Sequence, residues 1–234
     1  MFSKIGTINW MSTGIWKIVM GQNAVAPKRC RGRPQIRPDD ETLHLLVEAA
    51  AAEFRDKGYA ATTMGNVAQR AGISTKTMYR LIPAKADLFQ KVIADRTGRF
   101  MLKVDPSELD RYELADAVEH FLVAFGALAL DSETIAMLRL VISERDRCPE
   151  LAATFNDVAV AQTTKAMTQW LERQRDRGLL KFDDPVATVS ALRGMMVMDL
   201  QRTAMIGLSP PPSPEEIKSR ARICAKLFLD GCRA

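Results

Sequence analysis

The stretch Thr62–Leu81, TTMGNVAQRAGISTKTMYRL, decides the architecture of the whole chain. Thr63 is a good N-cap for a short helix whose buried side carries Val67, Ala68 and Ala71 and which stops at Gly72. Ser74 can cap a second short helix running through Leu81, and Pro83 closes it. Between them, Gly72 permits a left-handed turn and Ile73 is placed to plug the angle between the helices. A glycine between two helices is common and by itself marks only packing. The second helix says more: Thr75, Lys76, Thr77, Tyr79 and Arg80 supply donors for base edges and phosphates, on an element that fits a DNA major groove.

Working outward, Leu43, Leu46, Val47, Ala50 and Phe54 recur at helical spacing, which predicts an amphipathic helix over 40–57 ended by Gly58. Beyond Pro83 a longer amphipathic helix is predicted over 84–102, with Leu88, Phe89, Val92 and Ile93 inward. Asp105-Pro106-Ser107 reads as a break. Five further helices are predicted over 110–130, 132–147, 150–177, 186–206 and 214–229, because no stretch alternates with period two over strand length. The expected fold is all-α: an N-terminal three-helix helix-turn-helix domain plus a larger helical domain. The expected boundaries are 1–36, a disordered or mis-called extension with Met11 or Met20 as alternative starts; 38–102; and 103–234.

The 234 residues are 47% apolar and 26% charged, an ordinary globular balance. The formal charge of +5 is unevenly spread. Between Lys28 and Lys103 fifteen Lys or Arg face eight Asp or Glu, and with the +2 of Lys4 and Lys17 this leaves −4 for Val104–Ala234. A basic front on an acidic back points to a polyanion partner for the front alone. Cys30, Cys148, Cys224 and Cys232 are scattered, and only His44 and His120 could join them, so neither a zinc site nor a disulfide framework is expected and a cytoplasmic location fits. No apolar span near the N-terminus is long enough for a membrane helix. No catalytic signature is visible, no His-Glu-x-x-His, Gly-x-Ser-x-Gly or phosphate loop. No enzyme, metal or cofactor is therefore expected. The basic run over 28–37, with Arg29, Arg31 and Arg33, reads either as an arm for a narrow minor groove or as a non-specific basic tail.

The segment from 40 to 100 resembles the TetR (tetracycline-repressor) family. The resemblance is carried by Leu46-Val47-Glu48-Ala49-Ala50 with Phe54, Gly58-Tyr59, Thr62-Thr63, Val67-Ala68, Ala71-Gly72-Ile73-Ser74, Thr77-Met78-Tyr79, and Pro83-Ala84-Lys85 with Leu88-Phe89. It implies a three-helix DNA-binding domain, a linker helix, and a helical domain that dimerises and holds an effector. Carried over residue by residue, it assigns Thr63, Tyr79 and Lys85 to phosphates, and Thr75, Lys76, Thr77 and Arg80, beside Ser74, to the groove. Leu81 and Ile82 stand where the family has aromatics or histidine, and Ala84 where it has a serine cap.

Met137-Leu138-Arg139-Leu140-Val141-Ile142-Ser143-Glu144 and Cys148-Pro149-Glu150-Leu151 resemble the AefR-like group of TetR C-terminal domains. Phe121, Phe125, Met137, Trp170 and Met195 are candidates to line an effector pocket, since aromatics and methionines adapt to apolar ligands. Arg139 and Glu144 are expected to form a structural ion pair. Helices 186–206 and 214–229 are expected to pair with their symmetry mates through Ala187, Ser190, Ala191, Gly194, Met198, Ala225 and Leu229, making a homodimer. Two-fold symmetry implies a roughly palindromic operator with half-sites on the order of 34 Å apart. The expected function is a sequence-specific transcriptional regulator, a repressor released by a small molecule. An activator or a nucleoid-type DNA-binding protein is the alternative.

Overall fold

A computed structural model describes residues 37–233, and every extended element among them is a helix. The first, α1 (Asp39–Ala61), has three acidic residues in its first turn, where the helix dipole favours them, and bends sharply at Gly58, whose φ of 76° suits glycine. Thr63 caps α2 (Met64–Arg70) by accepting the Asn66 N–H at 3.2 Å. At the far end Gly72 sits at φ 69°, with its N–H bonded to Gln69 O and the Ile73 N–H to Ala68 O. This Schellman closure reverses the chain within two residues. Ser74 then caps α3 (Thr75–Leu81) through the Thr77 N–H at 3.1 Å.

Helix α4 (Lys85–Lys103) follows. Its start is half capped: Asp87 accepts the Ala84 N–H at 3.1 Å, but alanine has no hydroxyl with which to return the bond. Leu88, Phe89, Val92 and Ile93 bury one stripe of α4 against Leu46, Ala50, Phe54, Val67 and Met78. Phe54, Tyr59 and Phe89 close a triangle of rings with centroids 5.5 to 5.8 Å apart. Ile82 is fully buried in this core, so the aliphatic residue at that position serves packing.

The break at 105–107 opens a short helix, α5 (Pro106–Leu109), and the next, α6 (Leu114–Ala129), starts four residues later than predicted because 110–112 forms a turn instead. Asp131 caps α7 (Ser132–Ser143), accepting the Glu133 and Thr134 N–H groups at 2.9 and 3.2 Å. Helix α7 ends short of the predicted Arg147, with turns through 144–147. The single helix predicted over 150–177 is interrupted: α8 (Pro149–Phe155) passes through a π-helical segment, Asn156–Val160, into α9 (Ala161–Asp176). The last two helices are α10 (Pro185–Met205), capped by Asp184, and α11 (Pro214–Cys232), opened by a Ser213–Glu216 capping box.

Two cores result. One holds α1–α4 and extends into Met137, Leu140, Val141, Leu151 and Val158. The other surrounds α6, with Phe100, Phe121, Phe125, Trp170, Leu192, Met196, Ala221 and Phe228. Gly126 lets α10 and α11 approach α6 closely, since a Cβ there would collide with Met196 Cε and lie 2.9 Å from Ile217 Cγ2. Gly126→Val is expected to destabilise the fold by about 1–3 kcal/mol through overpacking, read from the denaturant midpoint. Ala84→Ser should act in the opposite sense, by about 0.5–1 kcal/mol, by completing the α4 cap. An unchanged midpoint in either variant would contradict the packing described.

Candidate DNA interface and ligand cavity

Helix α3 is anchored by Met78, which is fully buried, while Thr75, Lys76, Tyr79 and Arg80 stand exposed and Thr77 is half-buried. Tyr79 is 54% exposed, unusual for a large aromatic with only a hydroxyl to satisfy. The Thr63 and Ser74 oxygens accept backbone N–H bonds, and the Ser74 and Thr77 hydroxyls lie 2.9 Å apart. Arg80 is held in a fork by Asp39 at the start of α1, Nη1 at 2.8 Å and Nη2 at 2.7 Å. The Lys85 ammonium lies within hydrogen-bond distance of Tyr59 O at 2.7 Å, Thr62 O at 2.9 Å and Ala60 O at 3.4 Å, and sits 4.4 Å over the Tyr59 ring. All three of its donors thus have acceptors inside the protein, and a phosphate reaching it must exchange with a carbonyl. Arg29, Arg31 and Arg33 lie outside the described residues.

A cavity of about 140 Å³ opens between α4, α6, α7, α10 and the chain around the π segment. Ile93, Arg96 and Thr97 come from α4; Phe125 and Leu128 from α6; Thr134 and Met137 from α7; Phe155, Val160 and Thr163 from the segment before and into α9; Arg193, Val197 and Gln201 from α10. Of the five predicted lining residues only Phe125 and Met137 belong to it. Phe121 and Trp170 pack ring on ring at 5.8 Å and border a separate void of about 10 Å³. Met195 is half-buried against the α6 core, its carbonyl taking the Arg220 Nε at 2.9 Å.

The polar residues were missed, although the signal was present. Arg193 falls on the stripe of Val189, Leu192, Met196 and Val197, and Arg96 on that of Val92, Ile93, Thr97 and Phe100. A charge inside a buried stripe needs a reason. Arg96 pairs with Asp131 and Glu133. Arg193 makes two bonds, both from Nη1, to Val160 O at 3.2 Å and to the Thr164 hydroxyl. Burial pushes its pKa below the ordinary guanidinium value.

The predicted Arg139–Glu144 pair is not formed. Arg139 donates to Met205 O at 2.7 Å and to Ala204 O, closing the end of α10, while Glu144 accepts the Ala60 N–H at 3.4 Å. Along the outer helices, Ala187, Ser190, Ala191 and Met198 are exposed and Gly194 is half-buried, but Ala225 and Leu229 face inward. The exposed apolar residues of α11 are Ile223 and Leu227, on the opposite side of the helix from its buried stripe.

Comparison with known proteins bears on this arrangement. The model for bacterial regulatory proteins of the tetR family matches residues 46–92, and that for the C-terminal domain of AefR-like transcriptional repressors matches 116–231, together more than two thirds of the chain. No curated protein matches by sequence. Among solved structures, a protein of Mesorhizobium loti MAFF303099 assigned to the TetR-family transcriptional regulators is 23% identical, with a TM-score of 0.74 over 85% of this chain and 100% of its own. The flavonoid-responsive regulator FrrA is 25% identical, with a TM-score of 0.66 over 83% of this chain and 98% of its own. FadR of Bacillus subtilis, solved with stearoyl-CoA, is 14% identical, with a TM-score of 0.65 over 80% and 98%. The first and third likenesses establish the fold alone. The two matched models, with the capped helix-turn-helix of α2 and α3, place the chain in the TetR family of DNA-binding transcriptional regulators, which are not enzymes, with a C-terminal half of the AefR-like group.

Proposed function

We propose that the protein is a homodimeric, cytoplasmic repressor that leaves its operator when a small molecule enters the α4–α10 cavity. In this reading residues 38–102 read DNA and residues 103–234 hold the effector and the dimer contact. The observation that carries it is the shared position of α4, whose inward stripe packs under α3 through Met78 while Ile93, Arg96 and Thr97 form a wall of the cavity. FrrA responds to a flavonoid and FadR of B. subtilis binds stearoyl-CoA, which supports a ligand-filled interior in proteins of this shape.

Thr63 and Tyr79 are assigned to phosphates, with Ser74 at the edge of the contact and Lys85 reaching a phosphate by exchange with a carbonyl. Thr75, Lys76, Thr77 and Arg80 are assigned to the groove. Hydroxyls that accept a backbone N–H still have a proton to donate outward. The two protomers meet through α10 and α11, with Met198, Ile223 and Leu227 in place of the inward-facing Ala225 and Leu229. A two-fold axis there makes the contact self-complementary.

Fluorescence anisotropy on the protein's own upstream intergenic DNA, beside a scrambled duplex and across a salt series, tests this. Tyr79→Ala is expected to weaken both by a similar factor and to reduce the preference little. Arg80→Ala is expected to lose about 1–3 kcal/mol of discrimination. Equal wild-type affinity for the two duplexes would establish nucleoid-type binding instead. Asp39→Ala should tighten binding to the upstream duplex more than to the scrambled one, since it removes a carboxylate from the groove-facing Arg80 guanidinium. Weaker binding by Asp39→Ala would make Asp39 a positioning residue for Arg80.

A further inference from the structure

The cavity carries a chemical preference of its own. Its lining contains two arginines and no acidic residue. Asp131 and Glu133 neutralise Arg96 from outside the lining, but no carboxylate among the described residues pairs with Arg193. The Arg193 guanidinium lies 4.9 Å over the Phe125 ring and spends only Nη1 on the protein. Its Nε and Nη2 form the edge that takes a carboxylate in two parallel bonds. A guanidinium withdrawn from water without a counter-ion is costly, and an anionic ligand removes that cost.

Two further polar atoms at the cavity have no partner: the Thr134 hydroxyl and the Arg96 Nε, both buried. Thr97, Thr163 and Gln201 also line it, the last two already donating to the Ala159 and Ala129 carbonyls, and most of the rest is apolar, from Ile93, Leu128, Met137 and Val197. At about 140 Å³ the space is close to the ~150 Å³ cavity that holds one benzene.

We propose that the effector is a small apolar monocarboxylate with a single ring, its carboxylate on Arg193 Nε and Nη2 and its ring beside Phe125 and Met137. The inference rests on the ligand-released reading above and adds the ligand's charge and size. The Val160 carbonyl that steadies Arg193 belongs to the π segment, whose Val158 packs into the core shared with α1–α4. Arg193 is thereby joined to a segment that packs against α4.

Calorimetry on the full-length protein with benzoate, its neutral isostere benzamide, and the cation benzylammonium tests the assignment, with thermal unfolding as a second readout. Benzoate is expected to bind at least tenfold more tightly than benzamide, and benzylammonium not at all. Arg193→Gln should erase the benzoate preference and, with it, any release of upstream DNA by benzoate. Arg193→Lys, which keeps the charge without the planar fork, should retain a reduced preference and guards against a folding defect in the glutamine variant. Benzamide binding as tightly as benzoate, or a preference that survives Arg193→Gln, overturns the anion assignment. If such neutral binding also releases upstream DNA, the ligand-released reading stands without it. If neither ring compound binds up to its solubility limit, the ring-carboxylate assignment falls. Release of the same DNA by other small molecules would then leave the broader reading in place.

Discussion

Helix α4 cannot be placed by one core alone. Leu88, Phe89, Val92 and Ile93 belong to the core under the recognition helix, while Phe100 and the following Val104 belong to the core around α6. The helix is 19 residues, roughly 28 Å at 1.5 Å per residue. Interiors packed to crystal density transmit displacement and do not absorb it. A shift of α4 at Arg96 and Thr97, where it walls the cavity, is therefore also a shift at Phe89, which the Phe54 and Tyr59 rings grip. The sharp bend at Gly58 brings Tyr59 into that grip, and Lys85 pins the same turn to the start of α4.

Polar contacts cross the same boundary. Arg96 and Arg55 both reach the first turn of α7, through Asp131 and Glu133, and buried Glu144 at its other end accepts the Ala60 N–H. Exposed ion pairs contribute little each, so Arg55 with Glu133 serves mainly to fix register. Glu53 is different. It is buried, meets Lys57 at 2.8 Å and Arg70 at 3.0 Å, and its carbonyl takes the Thr62 hydroxyl. It ties α1 to α2 from inside, where losing one partner strands a charge.

The helix-turn-helix was legible because its determinants are local. Thr63, Gly72, Ser74 and the buried periodicity act within a few residues of themselves, and each does in the structure what its position implies. Lys85 shows the limit even there, since its partners lie 23 to 26 residues away. The cavity depends wholly on such distant neighbours. Trp170 and Phe121 looked like pocket residues by type, yet their rings pack against each other and leave only about 10 Å³ beside them. Arg193 carries no local mark of a pocket residue, and only the burial of Val189, Leu192 and Val197 around it sets it apart from a surface arginine. The π segment has no strong local signature either: Asn156–Val160 reads as ordinary helix, and only the packing of Val158 and the turn to Val160 distinguish it.

The cavity also weighs on stability. A space of about 140 Å³ between these helices forgoes the contacts that a filled interior would make, at a cost in stability. Uncompensated Arg193 and the unpartnered Thr134 hydroxyl add to it. Domains of this kind hold a net stability of only about 5–15 kcal/mol, so a fold selected for stability alone would have closed the hole with a larger aliphatic residue and removed the charge. Cost concentrated at one site, in a structure whose helix caps and aromatic triangle are otherwise mutually consistent, is the pattern expected where function opposes stability. Filling that site returns the energy by mass action, and it does so at the helix on which the recognition surface is mounted.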